Sequence, residues 1–288
     1  FVKNRIGLDF AIYDNRTVDQ IMPAAISYAT GSSYKYVNAG EVSNKGIEIM
    51  LNATPVKQKG FTWDVALNWS KNKNEVIDLA EGLEKLQLAD LQGGVTINAV
   101  KGHAMGTIHG TDFMYYNDIK DEAHRIITDG YYDVSASDQI IGDVNPDWIG
   151  GLRNTFRYKN LKLSFLIDWK HGGDVFSLDH WYGSSTGLYK ESAGLNELGN
   201  PIRNYASDGG GVILTGVTAD GAVNTVRSDE MGTYYTPVGS YYAPNALFIY
   251  DASYVKLREL SVTYNLPTSI FENIFIHDAS IALVGSNL

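Results

Sequence analysis

Few residues in this sequence are arranged for covalent chemistry. Gly183-Ser184-Ser185-Thr186-Gly187 matches the G-x-S-x-G pattern of serine hydrolases. That pattern presents a nucleophile only at a sharp turn between a strand and a helix. Here the surroundings predict a Gly/Ser loop with no helix after it, so no hydrolase is inferred. Asp143-Val144-Asn145-Pro146-Asp147 begins like a calcium loop. An EF-hand needs Gly at the sixth position and Glu at the twelfth. This sequence has Trp148 and Asn154 there, so a turn leading into a strand fits better. The histidines at 103, 109, 124, 171, 180 and 277 form no i, i+4 ligand pair on a helix. Asp208-Gly209-Gly210-Gly211 lacks the strand–loop–helix setting of a phosphate cradle and reads as a flexible loop tip. No catalytic residue, metal or cofactor is expected, and the chain is not read as an enzyme.

Composition narrows the remaining classes. The 288 residues include no Cys, which rules out disulfides and thiolate metal sites. The net charge of −10 supplies no basic footprint for nucleic acid. No apolar run approaches the ~18 residues of a membrane helix, whereas a membrane β-barrel gives only a weak hydropathy signal and stays open. The chain begins at Phe1 without a signal peptide and stops at Leu288 inside an expected strand, which suggests an internal piece of a longer protein.

The elements that would position any site are strands. Phe61, Trp63, Val65, Leu67 and Trp69 alternate with Thr62, Asp64, Ala66, Asn68 and Ser70. Leu161, Leu163, Phe165, Ile167 and Trp169 alternate with Lys162, Ser164, Asp168 and Lys170. Successive side chains on a strand point to opposite faces, so each segment has one apolar and one polar face. Further strands are expected at 4–20, 46–54, 151–158, 254–264 and from 279. Gln58-Lys59-Gly60 and Lys159-Asn160 read as tight turns. In 254–264 the apolar register slips from odd to even, which predicts a β-bulge near Arg258-Glu259. Residues 75–91 have Ile77, Leu79, Leu83 and Leu86 near helical spacing and are expected as a short loop helix.

Short turns and long connections (21–35, 80–144 and 172–247) alternate along the chain. Loops this long are unusual in a compact soluble domain. Short turns on one rim and long loops on the other are the plan of outer-membrane barrels. Strand parity then requires zero or two barrel strands in 80–144. Two are plausible, since 105–116 and 125–132 have strand character. Trp63, Trp69, Tyr158, Trp169 and Tyr264 sit on apolar registers near strand ends, as an interfacial girdle or a sandwich core would have them.

Four strings, taken in order, resemble a known family. They are Asn44-Lys45-Gly46-Ile47-Glu48-Ile49 with Phe61-Thr62-Trp63 and Asn68-Trp69-Ser70-Lys71-Asn72; Ile141-Gly142-Asp143-Val144-Asn145-Pro146-Asp147-Trp148 with Gly150-Gly151-Leu152 and Tyr158-Lys159-Asn160; Asp251-Ala252-Ser253-Tyr254-Val255-Lys256-Leu257-Arg258 with Val262-Thr263-Tyr264-Asn265-Leu266-Pro267; and Gly285-Ser286-Asn287-Leu288. Together they are similar to the C-terminal part of the SusC/RagA family of TonB-dependent outer-membrane transporters. The resemblance implies an all-β fold, an antiparallel transmembrane barrel of which 1–288 would hold about seven to nine strands, with long extracellular loops. The plug, the TonB-contacting segment, the early strands and the final strand would lie outside the chain. It also implies import of oligosaccharides or peptides across the bacterial outer membrane, with TonB and a SusD-like surface lipoprotein as partners.

On that resemblance the apolar faces (Phe61, Trp63, Val65, Leu67, Trp69; Leu161, Leu163, Phe165, Ile167, Trp169) are expected to meet lipid. Glu48, Asn52, Asp64, Asn68, Lys162 and Asp168 are expected to line the lumen. Trp181, Tyr182, Tyr189, Tyr234, Tyr235, Tyr241 and Tyr242, in the longest loop, are candidate contacts for substrate or lipoprotein, because exposed aromatic rings stack well on such partners. The alternative is that they pack the loop against itself. The competing classes are a soluble or surface-anchored β-rich glycan-binding module and an outer-membrane enzyme, the latter without a visible catalytic group.

Overall fold

The computed structural model describes residues 5–25, 28–32, 34–38, 40–80, 82–228, 243–271 and 278–288. Seven strands build one antiparallel sheet: β1 (Ile6–Thr17), β2 (Glu41–Gln58), β3 (Phe61–Asp78), β4 (Trp148–Tyr158), β5 (Leu161–His171), β6 (Tyr254–Asn265) and β7 (Ser280–Ser286). Each strand is hydrogen-bonded to the next in chain order. Lys59-Gly60 and Lys159-Asn160 turn β2 into β3 and β4 into β5 on one rim. Gly60 has φ +83°, a conformation that glycine adopts without a Cβ penalty. Residues 18–40, 79–147 and 172–253 connect strands on the opposite rim. Among the described residues no helix is long and apolar enough to cross a membrane.

Three register shifts interrupt the ladder, one of them at the end of the β2–β3 pair, between Glu41 and Val42. In β6, Leu257 pairs with Ile167 and Glu259 with Leu166, leaving Arg258 as the extra residue, where the slip in apolar register predicts it. In β2, Thr54 and Pro55 fall between Ala53, opposite Val65, and Val56, opposite Trp63. A bulge suits proline, which has no N–H to give the ladder.

The long connections depart from expectation. Since β3 pairs directly with β4, residues 80–144 contribute no strand to the main sheet. Their strand character is local: Lys85–Asp90, Thr96–Val100, Thr107–Gly110 and Gln139–Asp143 form a four-stranded sheet of their own. Ile127–Thr128 and Tyr131–Tyr132 make a separate two-stranded pair. The helix expected across 75–91 does not form. β3 runs on through Asp78, Gly82 turns at φ +80°, and Lys85–Asp90 is a strand. Val76, Leu79 and Leu86 share a buried cluster with Val42 and Ala99, so tertiary burial outweighs the helical spacing.

Register makes the two faces of the main sheet continuous. One cross-strand row reads Leu8, Leu51, Leu67, Leu152, Ile167, Leu257. The next reads Phe10, Ile49, Trp69, Gly150, Trp169, Val255. On the same face, flanking the first row at its other edge, lie Ile6, Ala53, Val65, Asn154, Phe165 and Leu260. Asn154 is the polar member, and its Oδ1 accepts from Trp63 Nε1 at 3.0 Å, so neither group is left unpaired. Trp63 stacks on Phe156 at 5.7 Å between centroids.

No described part of the chain covers this face. Phe10 is 59% exposed, Val255 77% and Leu283 78%. The three buried apolar clusters instead lie in the long connections and the strand ends next to them. The Trp169 indole lies across Gly150, where a Cβ would sit 2.3 Å from Nε1. Gly150→Ala should therefore displace that ring and destabilise the sheet by about 1–3 kcal/mol. The check is the thermal unfolding of the full-length protein, and an unchanged transition would mean that the indole is free to leave.

Candidate functional site

The opposite face is polar, and its charges are cross-linked. Arg153, on β4, reaches across β5 to Glu259 on β6, with Nη1–Oε1 2.9 Å and Nη2–Oε2 3.3 Å. Leu166 is the β5 residue opposite both of them. Asp64 binds Arg157 and accepts from Thr54 Oγ1 at 2.7 Å. Asp168 takes both Arg258 and the Tyr254 hydroxyl, the latter at 3.1 Å. Thr155 and Ser164 share a hydrogen bond of 3.2 Å. Pairs this open to water add little stability, but a bidentate arginine also fixes geometry. A shallow depression of about 310 Å³ between Arg5, Asn52, Asp64, Arg153 and Thr155 opens on this wall.

Above the wall, the long connections pack together and lean over the polar face. Val42 and Val76 are directly opposite each other and share parity with the polar positions of β2 and β3. Their burial with Leu79, Leu86 and Ala99 anchors the four-stranded loop sheet on that side. Asn74, also on that side, accepts from the Met105 backbone N–H at 2.6 Å and donates to Asn145 at 2.8 Å. A second cluster, Val95, Ile108, Phe176, Ala243 and Phe248, joins the connection before β4 to the one before β6. Asn245 fastens the same joint. Its buried amide accepts from Thr111 N–H at 2.9 Å and from Thr111 Oγ1 at 3.0 Å, and donates to the Gly93 carbonyl at 3.0 Å.

Asp138 ties the outer edge of the loop sheet. It meets Lys85 and buried His109, whose other ring nitrogen lies 3.0 Å from Thr107 Oγ1. The Lys85 hydrogen bond, chiefly, holds the Asp138 carboxyl below the usual aspartate range.

Comparison with known proteins gives this architecture a context. No family model matches the chain. TonB-dependent receptor P3 of Formosa agariphila is 27% identical over 305 residues, covering 99% of this chain and 28% of that protein. TonB-dependent receptor P26 of the same organism is 26% identical over 307 residues. TonB-dependent receptor SusC of Bacteroides thetaiotaomicron is 22% identical, covering 92% of this chain and 25% of that protein. The RagAB peptide transporter superposes with a TM-score of 0.66 at 18% identity, over 99% of this chain and 29% of that one. The fold is that of part of a SusC/RagA-type transporter barrel. The chain spans little more than a quarter of the length of the relatives it matches.

Register puts Glu48, Asn52, Asp64, Asn68, Lys162 and Asp168 on the polar face and all ten named apolar residues on the other. Asp64 and Asp168 are engaged in ion pairs. Glu48, Asn52, Asn68 and Lys162 take part in none of the side-chain pairs described on this wall. Sequence reasoning missed Arg153, Arg157, Arg258 and Glu259. The alternation of Arg153, Thr155 and Arg157 with Leu152 and Phe156 carries the signal for the first two. The bulge hides the others by shifting their parity.

The aromatic candidates separate. Trp181 packs into the cluster around Phe248, and Tyr189 meets His180 edge-on at 4.6 Å. Tyr182 is 51% exposed. Tyr234, Tyr235, Tyr241 and Tyr242 lie outside the described residues. Two loop expectations are corrected. Gly183-Ser184-Ser185 is the last turn of helix α1 (Leu178–Ser185), capped by Ser177, and not part of a loop. Both serines are buried, and Ser185 Oγ donates to the Trp181 carbonyl at 3.1 Å, unlike an exposed nucleophile. Gly210 and Gly211 are buried, not a loose tip; a Cβ on Gly210 would lie 2.0 Å from the Asn204 carbonyl oxygen. Near Asp143 the side chain accepts from Asn145 N–H at 2.9 Å, as a turn requires. No group of three metal-binding side chains occurs among the described residues.

Two outcomes follow for the loop mass. Asn245→Ala strips partners from half-buried groups of Thr111 and Gly93 and should weaken the joint by about 1–3 kcal/mol. Faster amide exchange in 93–111 and 243–248, with β3 to β5 unchanged, is the measurement. Asp138 has a depressed folded pKa, so its contribution is present above the unfolded value near ~4 and is lost as pH falls through the folded one. Exchange in Lys85–Asp90 should rise on acidification below about pH 4, and Asp138→Asn should remove that dependence.

Proposed function

We propose that this chain, residues 1–288, is the C-terminal part of the barrel of an active importer in a bacterial outer membrane, and that it works by binding and translocation. The observation that carries this reading is the continuous, uncovered apolar face. On β3, β4 and β5 it runs nine residues, over 61–69, 150–158 and 161–169. Nine residues suit a tilted membrane strand, which needs about 9–11. At ~3.3 Å per residue and a tilt of about 40°, the band stands roughly 20 Å high, close to the apolar belt of outer-membrane barrels. Phe61, Tyr158 and Tyr264 mark one end and Trp69 and Trp169 the other, as an interfacial girdle would. A soluble glycan-binding module would need a second layer on this face, and none is present among the described residues.

On this reading Glu48, Asn52, Asn68 and Lys162 face the lumen with their polar groups available, while Asp64 and Asp168 stiffen the wall. The cargo is an oligosaccharide or a peptide, with TonB supplying energy and a SusD-like lipoprotein covering the loop side. Tyr182 is the described aromatic best exposed for contact with cargo or lipoprotein. The relatives named TonB-dependent receptors, and the peptide transporter of like fold, support this assignment.

Leu67→Arg and Leu163→Arg in the full-length protein should each cost roughly 2–4 kcal/mol near the bilayer midplane, while Asn68→Ser should be mild. Unfolding of protein reconstituted in lipid bilayers reads this directly. Equal effects on both faces, or release of the wild type from membranes by carbonate, would overturn the assignment.

A further inference from the structure

Beyond Trp69 the apolar parity of β3 carries lysines. Lys71 lies opposite Ile47, and Lys73 lies directly opposite Lys45. All three are exposed. The pairing has no bulge between Val42 and Ala53, so these side chains share the face of Leu67 and Trp69. Like charges directly opposite one another in a sheet are destabilising, so folding alone does not account for Lys45 against Lys73. Asp14 answers Lys45 at 3.1 Å. One row further out, Arg16 is matched by Glu41 at 2.8 Å, and Glu75 follows on β3. Lys71 and Lys73 enter no ion pair among the described residues. Asp143 and Asp147 of the loop mass line a depression of about 400 Å³ together with Lys71 and Lys73 but form no ion pair with either among the described residues.

We propose that Lys45, Lys71 and Lys73 bind the phosphate of an anionic lipid in the leaflet on the long-loop side of the membrane. The inference rests on the membrane reading above. Its reasons are position and charge: the cluster begins one row beyond the Trp69 end of the apolar band, at the height where lipid headgroups begin. A lipid whose chains cover Leu67 and Ile49 would carry its phosphate to the ammonium groups. Lysines on long stems are suited to this level, since their methylenes lie on apolar surface while the charge reaches the interface.

The test uses the full-length protein purified in non-ionic detergent, with lipid A and enzymatically dephosphorylated lipid A as probes, read by native mass spectrometry. Lys71→Ser/Lys73→Ser should weaken lipid A binding roughly 10- to 30-fold, Lys71→Arg/Lys73→Arg should retain it, and the dephosphorylated lipid should bind wild type and variants alike. Equal retention of lipid A by the wild type and the Ser variant overturns the proposal, as does displacement of lipid A by millimolar inorganic phosphate, which would indicate a free-anion site. Membrane fractionation of each variant separates the two readings. Protein that stays in the membrane without lipid discrimination fails only here, whereas protein absent from the membrane fails the functional assignment itself.

Discussion

The cross-strand register of β3 with β4 and β5 is the constraint on which the rest depends. A side-chain period of two means that a slip of one residue would send every leucine of the central row to the polar side and every arginine to the apolar one. The two tight turns, at Lys59-Gly60 and Lys159-Asn160, limit that slip because a two-residue connection fixes its strand pairing. Between them the Leu67, Leu152 and Ile167 row and the Arg153, Leu166 and Glu259 row are set at once. The apolar and polar walls are therefore one decision made by the backbone, not two.

The location of the buried cores follows from the same decision. An ordinary sheet domain would bury its most apolar face. Here that face stays uncovered, and burial occurs around Val42 and Val76, Val95 and Phe248, and Phe113 and Ile127. These clusters give the long connections their own cohesion. It explains how loops of this length can be ordered while the sheet beneath them contributes only its strand ends, at Val42 and Val76, to a core. Arg125 illustrates the local economy, lying 4.0 Å over the Phe113 ring within the third cluster.

Legibility in the sequence tracks how local each cause is. β3 and β5 were readable because alternation is a property of neighbouring residues, and the β6 bulge because it breaks that alternation in place. The helix expected over 75–91 failed for the converse reason. Leu79 and Leu86 have helical spacing, but Val42 and Ala99, distant in the chain, decide where they are buried. The count of main-sheet strands in 80–144 had the same character, since a four-stranded loop sheet and two barrel strands carry equal local signal. On the polar wall, Asp64 and Asp168 were visible as polar positions, yet their partners Arg157 and Arg258 depend on pairing that no local pattern encodes. The buried serines of α1 show that a motif and its setting are separate facts.

The asymmetry of the loop mass adds a step that neither face supplies alone. Val42 and Val76 continue the parity of Glu48 and Asn68, so the hydrophobic anchor of the loops lies on the same side as the polar wall. Had the anchor continued the parity of Trp69, the loops would have folded outward over Lys71 and Lys73. Instead Asn74, Met105 and Asn145 join loop to strand on the inner side, leaving the outer side to charge and aromatic residues. A sheet that keeps its apolar face uncovered while its connections fold over the polar one needs this division. The switch on β3 from Trp69 to Lys71 on one face, and from Asn68 to Val76 on the other, makes it within a few residues of a single strand.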